Sequence, residues 1–315
     1  MWTADDIPDQ HRRIAVVTGA NGGLGLEVAR ELARKGATVL MAARDQAKGR
    51  NALREITADV PDAVLKVYEV DLASLNSVRA CAAAILADHP RLDLLVNNAG
   101  IMGIPQQSTA DGFEMQLGVN HLGHFVLTGH LLPALLAAPA GRVVSVTSFA
   151  RFVGRAVHAH DPPLPRWYEP WTAYGKAKLA NLLFAAELQR RLESAGASTL
   201  SVAAHPGLSH TDLQARSVRE TGGGITQRFW DVSARRIGMA PEHAALVLLR
   251  AATDPSARGG ELYGPRWFTL GPPVRRSIIG RPGQAGPNLW SFSERVTGER
   301  FDVAGIVRGH DGAGT

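Results

Sequence analysis

The chain has 315 residues, 45% hydrophobic and 20% charged, a globular composition long enough to bury a core without disulfides or metals. Its formal charge is +5, but the arginines are interleaved with acids and no dense basic run occurs, so no nucleic-acid partner is expected. One cysteine, Cys81 within an alanine-rich stretch, excludes an internal disulfide, reads as a buried structural thiol and fits a cytoplasmic setting. The first 13 residues are polar and carry acids, unlike a signal or transit peptide, and no run reaches the roughly 18 apolar residues of a membrane span.

Short β-rich runs alternate with helical runs in chain order. Residues 14–18 form a β-branched run and read as a strand. Residues 24–35 have helical periodicity and stop at Gly36. Residues 38–42 read as a strand, 46–58 as a helix, 65–70 as a strand, 75–89 as a helix and 92–97 as a strand. One long helix or two cover 113–136. A strand at 141–147, a long helix at 172–194, a strand at 200–205, a helix at 241–252 and a short strand at 261–263 complete the pattern. Strands joined by crossover helices place the chain in the α/β class, as a single-domain, doubly wound Rossmann fold with a parallel sheet of about seven strands. The expected organisation is a tail over 1–12, a catalytic domain over 13–270 and an extension over 271–315. That extension is rich in Gly, Pro and Arg and reads as a surface appendage with an irregular or partly disordered end.

The first strand runs into Thr18-Gly19-Ala20-Asn21-Gly22-Gly23-Leu24-Gly25, which opens the first helix. Glycines let the backbone turn tightly and approach a pyrophosphate, and the helix N-terminus offers free amides to it. Gly19, Asn21, Gly22, Gly23, Leu24 and Gly25 are therefore candidate cofactor contacts; without its context the motif is only a tight turn. Arg44 follows the second strand, where an acid would select NAD, and with Lys48 one turn on it suits the 2′-phosphate of NADP(H). The neighbouring Asp45 could instead take the NAD role. Asp71 and Leu72 end the third strand, and Asn97-Asn98-Ala99-Gly100 ends the fourth, at the sheet edge where nucleotides bind.

Tyr174 and Lys178 are spaced i, i+4 on a helix and share a face. An ammonium there favours the phenolate and lowers the tyrosine pKa, which suits a general acid or base. Ser148 ends a strand at the same edge and could hold a substrate oxygen, although a turn serine is the commoner reading. Asn120 lies mid-helix, where asparagine needs a partner; buried, it would bend the helix and hold a water. His121, His124 and His130 share this region without ligand spacing or a carboxylate partner. They read as packing or surface residues, and no metal site is expected.

Together these residues resemble the short-chain dehydrogenase/reductase superfamily, over about residues 13–265, and within it the branch similar to retinol dehydrogenases and the WW-domain oxidoreductase. The resemblance implies NADP(H) as cofactor and Asn120, Ser148, Tyr174 and Lys178 as a catalytic tetrad. In that scheme Tyr174 moves the proton, Lys178 binds the nicotinamide ribose, Ser148 positions the carbonyl, and Asn120 supports a water-linked relay. Pro206 and Gly207 with Thr211 resemble the nicotinamide-contact motif, and Asn98, Ala99 and Gly100 complete the expected cofactor contacts. The implied reaction interconverts the carbonyl and alcohol of a hydrophobic small molecule.

Several features depart from the pattern. The glycines also fit the spacing of the epimerase branch through Gly22 and Gly25. Ser209-His210 stands where an aliphatic is commoner. The insert at 151–171 is expected to lie over the active site, and residues 213–239 to form a lid with a hinge at Gly222–Gly224 and walls at Phe229 and Trp230. The rival readings are a cofactor-binding regulator and an NAD-dependent epimerase or dehydratase of nucleotide sugars. Apolar content beyond one core face in the helices at 113–136 and 172–194 leads to an expected homo-oligomer, dimer or tetramer.

Overall fold

The computed structural model describes residues 1–208, 238–276 and 283–312. Runs of Val, Leu and Ala too apolar for a solvated face form the central strands: β1 (Ile14–Thr18), β4 (Leu94–Asn97) and β5 (Arg142–Val146) are buried along almost their whole length. Such strands need cover on both faces, and the crossover helices supply it. The sheet has eight strands in the order β3-β2-β1-β4-β5-β6-β7-β8. They include β2 (Thr38–Ala43), β3 (Val64–Glu69), β6 (Leu200–Ala204) and β7 (Leu262–Pro265). β1 to β7 pair in parallel, and β8 (Pro273–Arg276) joins β7 antiparallel.

Alternation along β1 divides the core in two. Ala15 and Val17 pack with Val28 and Leu32 of α1 (Gly23–Arg34), Ile56 of α2 (Gln46–Asp59) and Leu248 of α7 (Pro241–Thr253). Val16 faces the other layer, with Val78 of α3 (Leu75–Asp88), Phe125 of α5 (Gly123–Leu136) and Phe184 of α6 (Pro170–Ser194). The expected helix at 113–136 starts later, at α4 (Met115–Leu117), because the Glu114 carboxylate accepts from the N–H groups of Gln116 and Leu117 at 2.7 Å and caps it there. A π-helical turn, Gly118–Leu122, then leads into α5. α6 starts two residues before its expected position, with Pro170 in its first turn and Glu169 capping Trp171 and Thr172 at 3.0 and 2.6 Å.

The C-terminal segment departs most from the sequence reading. It adds β8 to the sheet and lays α8 (Ala285–Thr297) and α9 (Val303–Gly312) against the α5–α6 layer. Trp290 stacks on Phe184 with ring centroids 6.0 Å apart and meets Phe125 edge-on at 5.2 Å. Phe301 meets Phe125 at 5.3 Å, and its ring occupies the space a Cβ at Gly129 would need. The expected surface appendage is therefore core. Gly and Pro there mark turns between buried helices, including the left-handed Gly298 that ends α8. Part of the apolar surface of the two long helices is covered within the chain by α8 and α9. Among the described residues no helix is long and apolar enough to cross a membrane, and no cluster of His, Cys, Asp and Glu could hold a metal.

Candidate active site

Strand order reverses beside β1, where β2 lies on one side and β4 on the other; open α/β sheets bind ligands at the carboxyl ends of strands at such a point. A cleft of about 1400 Å³ opens there. Its walls include the Gly-rich turn, Arg44, Lys48, Asp71, Leu72, Asn98, Ala99, Gly100, Asn120, Ser148, Tyr174, Lys178, Pro206 and Gly207. The fold thus brings to one cavity residues spread over almost 190 positions. Thr211, Ser209-His210 and nearly all of the expected lid lie outside the described residues.

Sterics explain two glycines of the turn. Gly19 has φ +68° and lies against Ala99, and a Cβ at Gly25 would overlap the carbonyl oxygen of Gly19. Asn98 fastens the turn to β4, since its Nδ2 donates to Thr18 O at 2.8 Å, and the N–H groups of Asn98 and Ala99 donate to Thr18 Oγ1 at 2.9 and 3.0 Å. Asn97 points the other way and donates to Thr128 Oγ1 at 2.9 Å inside the core. At Gly22 a Cβ would meet nothing within 4 Å.

At the far end of the cleft the Asp45 side chain caps α2, and Arg44 and Lys48 line the wall beside Asp45 and Asp71. Asp71 Oδ1 accepts from the N–H of Ala73 at 2.9 Å. Gly207 has φ +81°, and its N–H donates to His205 Nδ1 at 3.2 Å, which shapes the Pro206–Gly207 turn on the opposite wall.

The four candidate catalytic residues meet where β5, the π-turn and α6 converge. Asn120 is fully buried in the π-turn. Its Oδ1 accepts from the N–H of Ile101 at 3.0 Å and its Nδ2 donates to Ile101 O at 2.9 Å, so both ends of the side chain are committed. Ser148 follows β5 and accepts from the N–H of Ala150 at 3.2 Å. Lys178 Nζ donates to Val146 O at 3.2 Å and lies 5.8 Å from the centre of the Tyr174 ring.

That geometry changes the electrostatic reading. Lys178 lies over the Tyr174 ring, and burial governs both groups. It pushes Tyr174 up to about 12, with only a hydrogen bond to Ser148 pulling the other way, and it pushes Lys178 down to about 8. The direction for Tyr174 is thus upward, opposite to the lowering expected from the lysine alone.

The insert divides into wall and anchor. Phe152, Val153 and Trp171 line the cleft together with Phe149 just before the insert, while Tyr168 donates to Ile104 O at 2.8 Å and Gln116 Nε2 donates to the Tyr168 hydroxyl at 2.7 Å. Sequence reasoning missed Gly154 and Gly175, whose backbones meet so closely that a Cβ at Gly154 would overlap Gly175 O. It also passed over Thr147, which donates to Lys178 O at 2.6 Å, and Asn181, which donates to Val146 O at 2.9 Å. Gly175 directly follows Tyr174, and a glycine inside a helix is a readable sign of close backbone approach.

Residues 13–222 match the family model described as short chain dehydrogenase. The chain belongs to that family. It is 46% identical to mouse retinol dehydrogenase 11 over 201 residues, 64% of this chain and 63% of that protein. The match thus spans less than two thirds of that relative. It is 38% identical to human retinol dehydrogenase 12 over 290 residues, covering 92% of this chain and 88% of that one, which places it in the retinol dehydrogenase-like branch. A solved structure of an uncharacterized protein from Mycobacterium paratuberculosis superimposes with a TM-score of 0.74 at 42% identity, covering 95% of this chain and 98% of the other. The NADP complex of Pseudomonas aeruginosa RhlG superimposes with a TM-score of 0.62 at 25% identity, covering 81% and 94%.

Proposed function

We propose that the protein is an NADP(H)-dependent oxidoreductase that interconverts the carbonyl and alcohol of a hydrophobic small molecule, with Tyr174 as the proton donor or acceptor. The observation that carries this reading is the joining of the Gly-rich turn and the Asn120/Ser148/Tyr174/Lys178 set in one cleft. The turn fits a dinucleotide phosphate. No side chain caps α1, no acid lies in its first turn, and the space above Gly22 is open, so the helix offers N–H groups and a positive dipole end. Arg44 and Lys48 would hold the 2′-phosphate, and Asp71, Pro206 and Gly207 would border the rest of the cofactor. The nicotinamide, when bound, supplies or takes the hydride.

In reduction, Tyr174 would give its proton to the substrate oxygen. A tyrosine held at about 12 stays protonated at neutral pH and is ready to act as that acid. Ser148 would hold the same oxygen. Lys178 lies over the phenol ring and is fixed by Val146 O. Ile101, Met102, Ile104 and Met115 with the aromatic mouth form an apolar wall, which supports a hydrophobic substrate. The NADP-bound relative and the retinol dehydrogenases point the same way.

The test is NADPH and, separately, NADH oxidation with a panel of hydrophobic aldehydes and ketones, with Tyr174→Phe as control. Turnover with NADPH that falls by about 10²–10⁴ in the variant is expected. Full turnover by Tyr174→Phe would sink the assignment, and preference for NADH would sink the cofactor choice.

A further inference from the structure

One buried polar side chain in the catalytic wall has no part in the reaction as described. His124 lies in the first turn of α5 and is 2% exposed. Its ring bridges two groups, with Nδ1 2.9 Å from Asn120 O and Nε2 2.9 Å from Thr18 Oγ1.

The protons on this bridge can be assigned by counting. Thr18 Oγ1 already accepts from the N–H groups of Asn98 and Ala99, so both its lone pairs are used. An N–H on His124 Nε2 would point at an oxygen with no lone pair left. Nε2 is therefore the acceptor and takes the Thr18 hydroxyl proton, in preference to Val96 O at the longer 3.3 Å. The ring hydrogen then sits on Nδ1 and is donated to Asn120 O. An imidazolium would place a second N–H against Thr18, and burial with the nearby Lys178 charge accordingly holds His124 down to about 4.

The bridge matters because it joins the backbone of Asn120, whose side chain is tied at each end to Ile101, to the strand end that opens the cofactor turn. The π-turn moves the local hydrogen bonding out of α-helical register, with Gly123 N–H bonded to Gly118 O. Within this turn the His124 ring adds a side-chain contact that holds the Asn120 carbonyl from the side of Thr18.

We propose that His124 is a positioning residue, whose Nδ1–H tautomer ties the Asn120 carbonyl to Thr18 at the base of the cofactor turn, so that the relay asparagine and the cofactor site are held as one unit. This rests on the proposed reaction, in which Asn120 serves a proton relay. The prediction separates the two nitrogens. An asparagine at this position can present an N–H near the place of Nδ1 and keep the contact with Asn120; a phenylalanine keeps the ring shape and loses both bonds.

Two measurements test it. The first needs no substrate: nitrogen-15 shifts of histidine-labelled protein, with the His124 signal assigned by its loss in His124→Phe. The neutral Nδ1–H pattern, unchanged from pH 6 to 8, is expected; an Nε2–H tautomer or titration in that range would overturn the proposal. The second is steady-state kinetics with NADPH. His124→Phe should lose about tenfold in kcat with the KM for NADPH held within about twofold, the mark of a geometric fault at the reacting centre. His124→Asn should recover most of the loss. Unchanged kcat in His124→Phe, or His124→Asn no better than His124→Phe, would overturn the positioning role while the wild type stays active. A wild type that turns over nothing would overturn the proposed reaction and remove this role with it, whatever the tautomer.

Discussion

The Asp45 carboxylate accepts a hydrogen bond from the backbone N–H of Lys48 at 3.0 Å. That bond closes the first turn of α2 and holds the acid below the usual carboxylate range. An acid that caps its own helix competes poorly for a ribose hydroxyl, and under the proposed function Arg44 would select the cofactor.

Cofactor choice can be read by replacing each residue in turn. Arg44→Ala should weaken NADPH binding about tenfold to a hundredfold, the loss of a charge-assisted contact to phosphate, and leave NADH binding nearly unchanged. Asp45→Ala should keep the ratio of the two affinities and lower only thermal stability, through loss of the cap. Fluorescence titration with both nucleotides checks this. Equal weakening of both by Arg44→Ala would argue against a 2′-phosphate contact.

The glycines of the turn make a second, purely steric prediction. Gly25→Ala puts a methyl group into Gly19 O and against Asn98 Nδ2, so the turn must open, and nucleotide binding should be lost together with stability. Gly22→Ala meets no protein atom. It should fold with an unchanged melting temperature and lose affinity only because the methyl group stands where a phosphate would. Calorimetric melts with and without NADPH separate the two. A Gly22→Ala variant that binds as tightly as wild type would move the phosphate site elsewhere.

The sheet was readable because its strands are short apolar runs bounded by glycine and by periodic helices, and the predicted boundaries lie within a few residues of the observed ones. The cofactor turn was readable because its glycines sit at a strand–helix junction. Contacts between distant segments left weaker traces. Trp290, Phe292 and Phe301 stand among Gly, Pro and Arg, so a local reading turned a core element into an appendage. His124 looked like packing because its two partners, Thr18 and Asn120, are chosen by topology and by a π-turn that no local spacing announces. The electrostatics of Tyr174 are hidden for a related reason: the i, i+4 spacing places Lys178 on the same face, but only the fold determines how deeply the phenol is buried.

Buried histidines give the protein a pH dependence of defined sign. Burial holds His121 down to about 3, and His124 and His205 to about 4, against an ordinary value near 6.5. Between these limits the unfolded chain binds more protons than the folded one, so stability rises with pH. It is fully present above about pH 6.5 and is lost as the pH falls toward 4. Each unit of depression corresponds to about 1.4 kcal/mol, so acidification should remove several kcal/mol in all. Denaturant unfolding from pH 7.5 to 5 should show a steady loss beginning near 6.5, and His205→Gln should flatten it. A stability constant from pH 7 to 5 would contradict the buried, neutral state of these rings.

The C-terminal helices make the last prediction. Phe301 fills the notch over Gly129 and touches Phe125, and Trp290 covers Phe125 and Phe184. Phe301→Ala should cost about 3–5 kcal/mol, as for other buried aromatics. Gly129→Ala should be nearly as damaging from the opposite side, and the double variant less damaging than the sum, because the methyl group would occupy part of the space the ring vacates. Removal of residues 285–315 would bare the α5–α6 face to water. A contiguous apolar surface of that kind is rarely left exposed in a monomer, so the truncated chain should associate further than the full chain at the same concentration. Light scattering of both at micromolar concentration decides it. A full-length protein that pairs through α5 and α6 would mean that α8 and α9 leave this face in solution, and Phe301→Ala would then strengthen the dimer instead of weakening the fold.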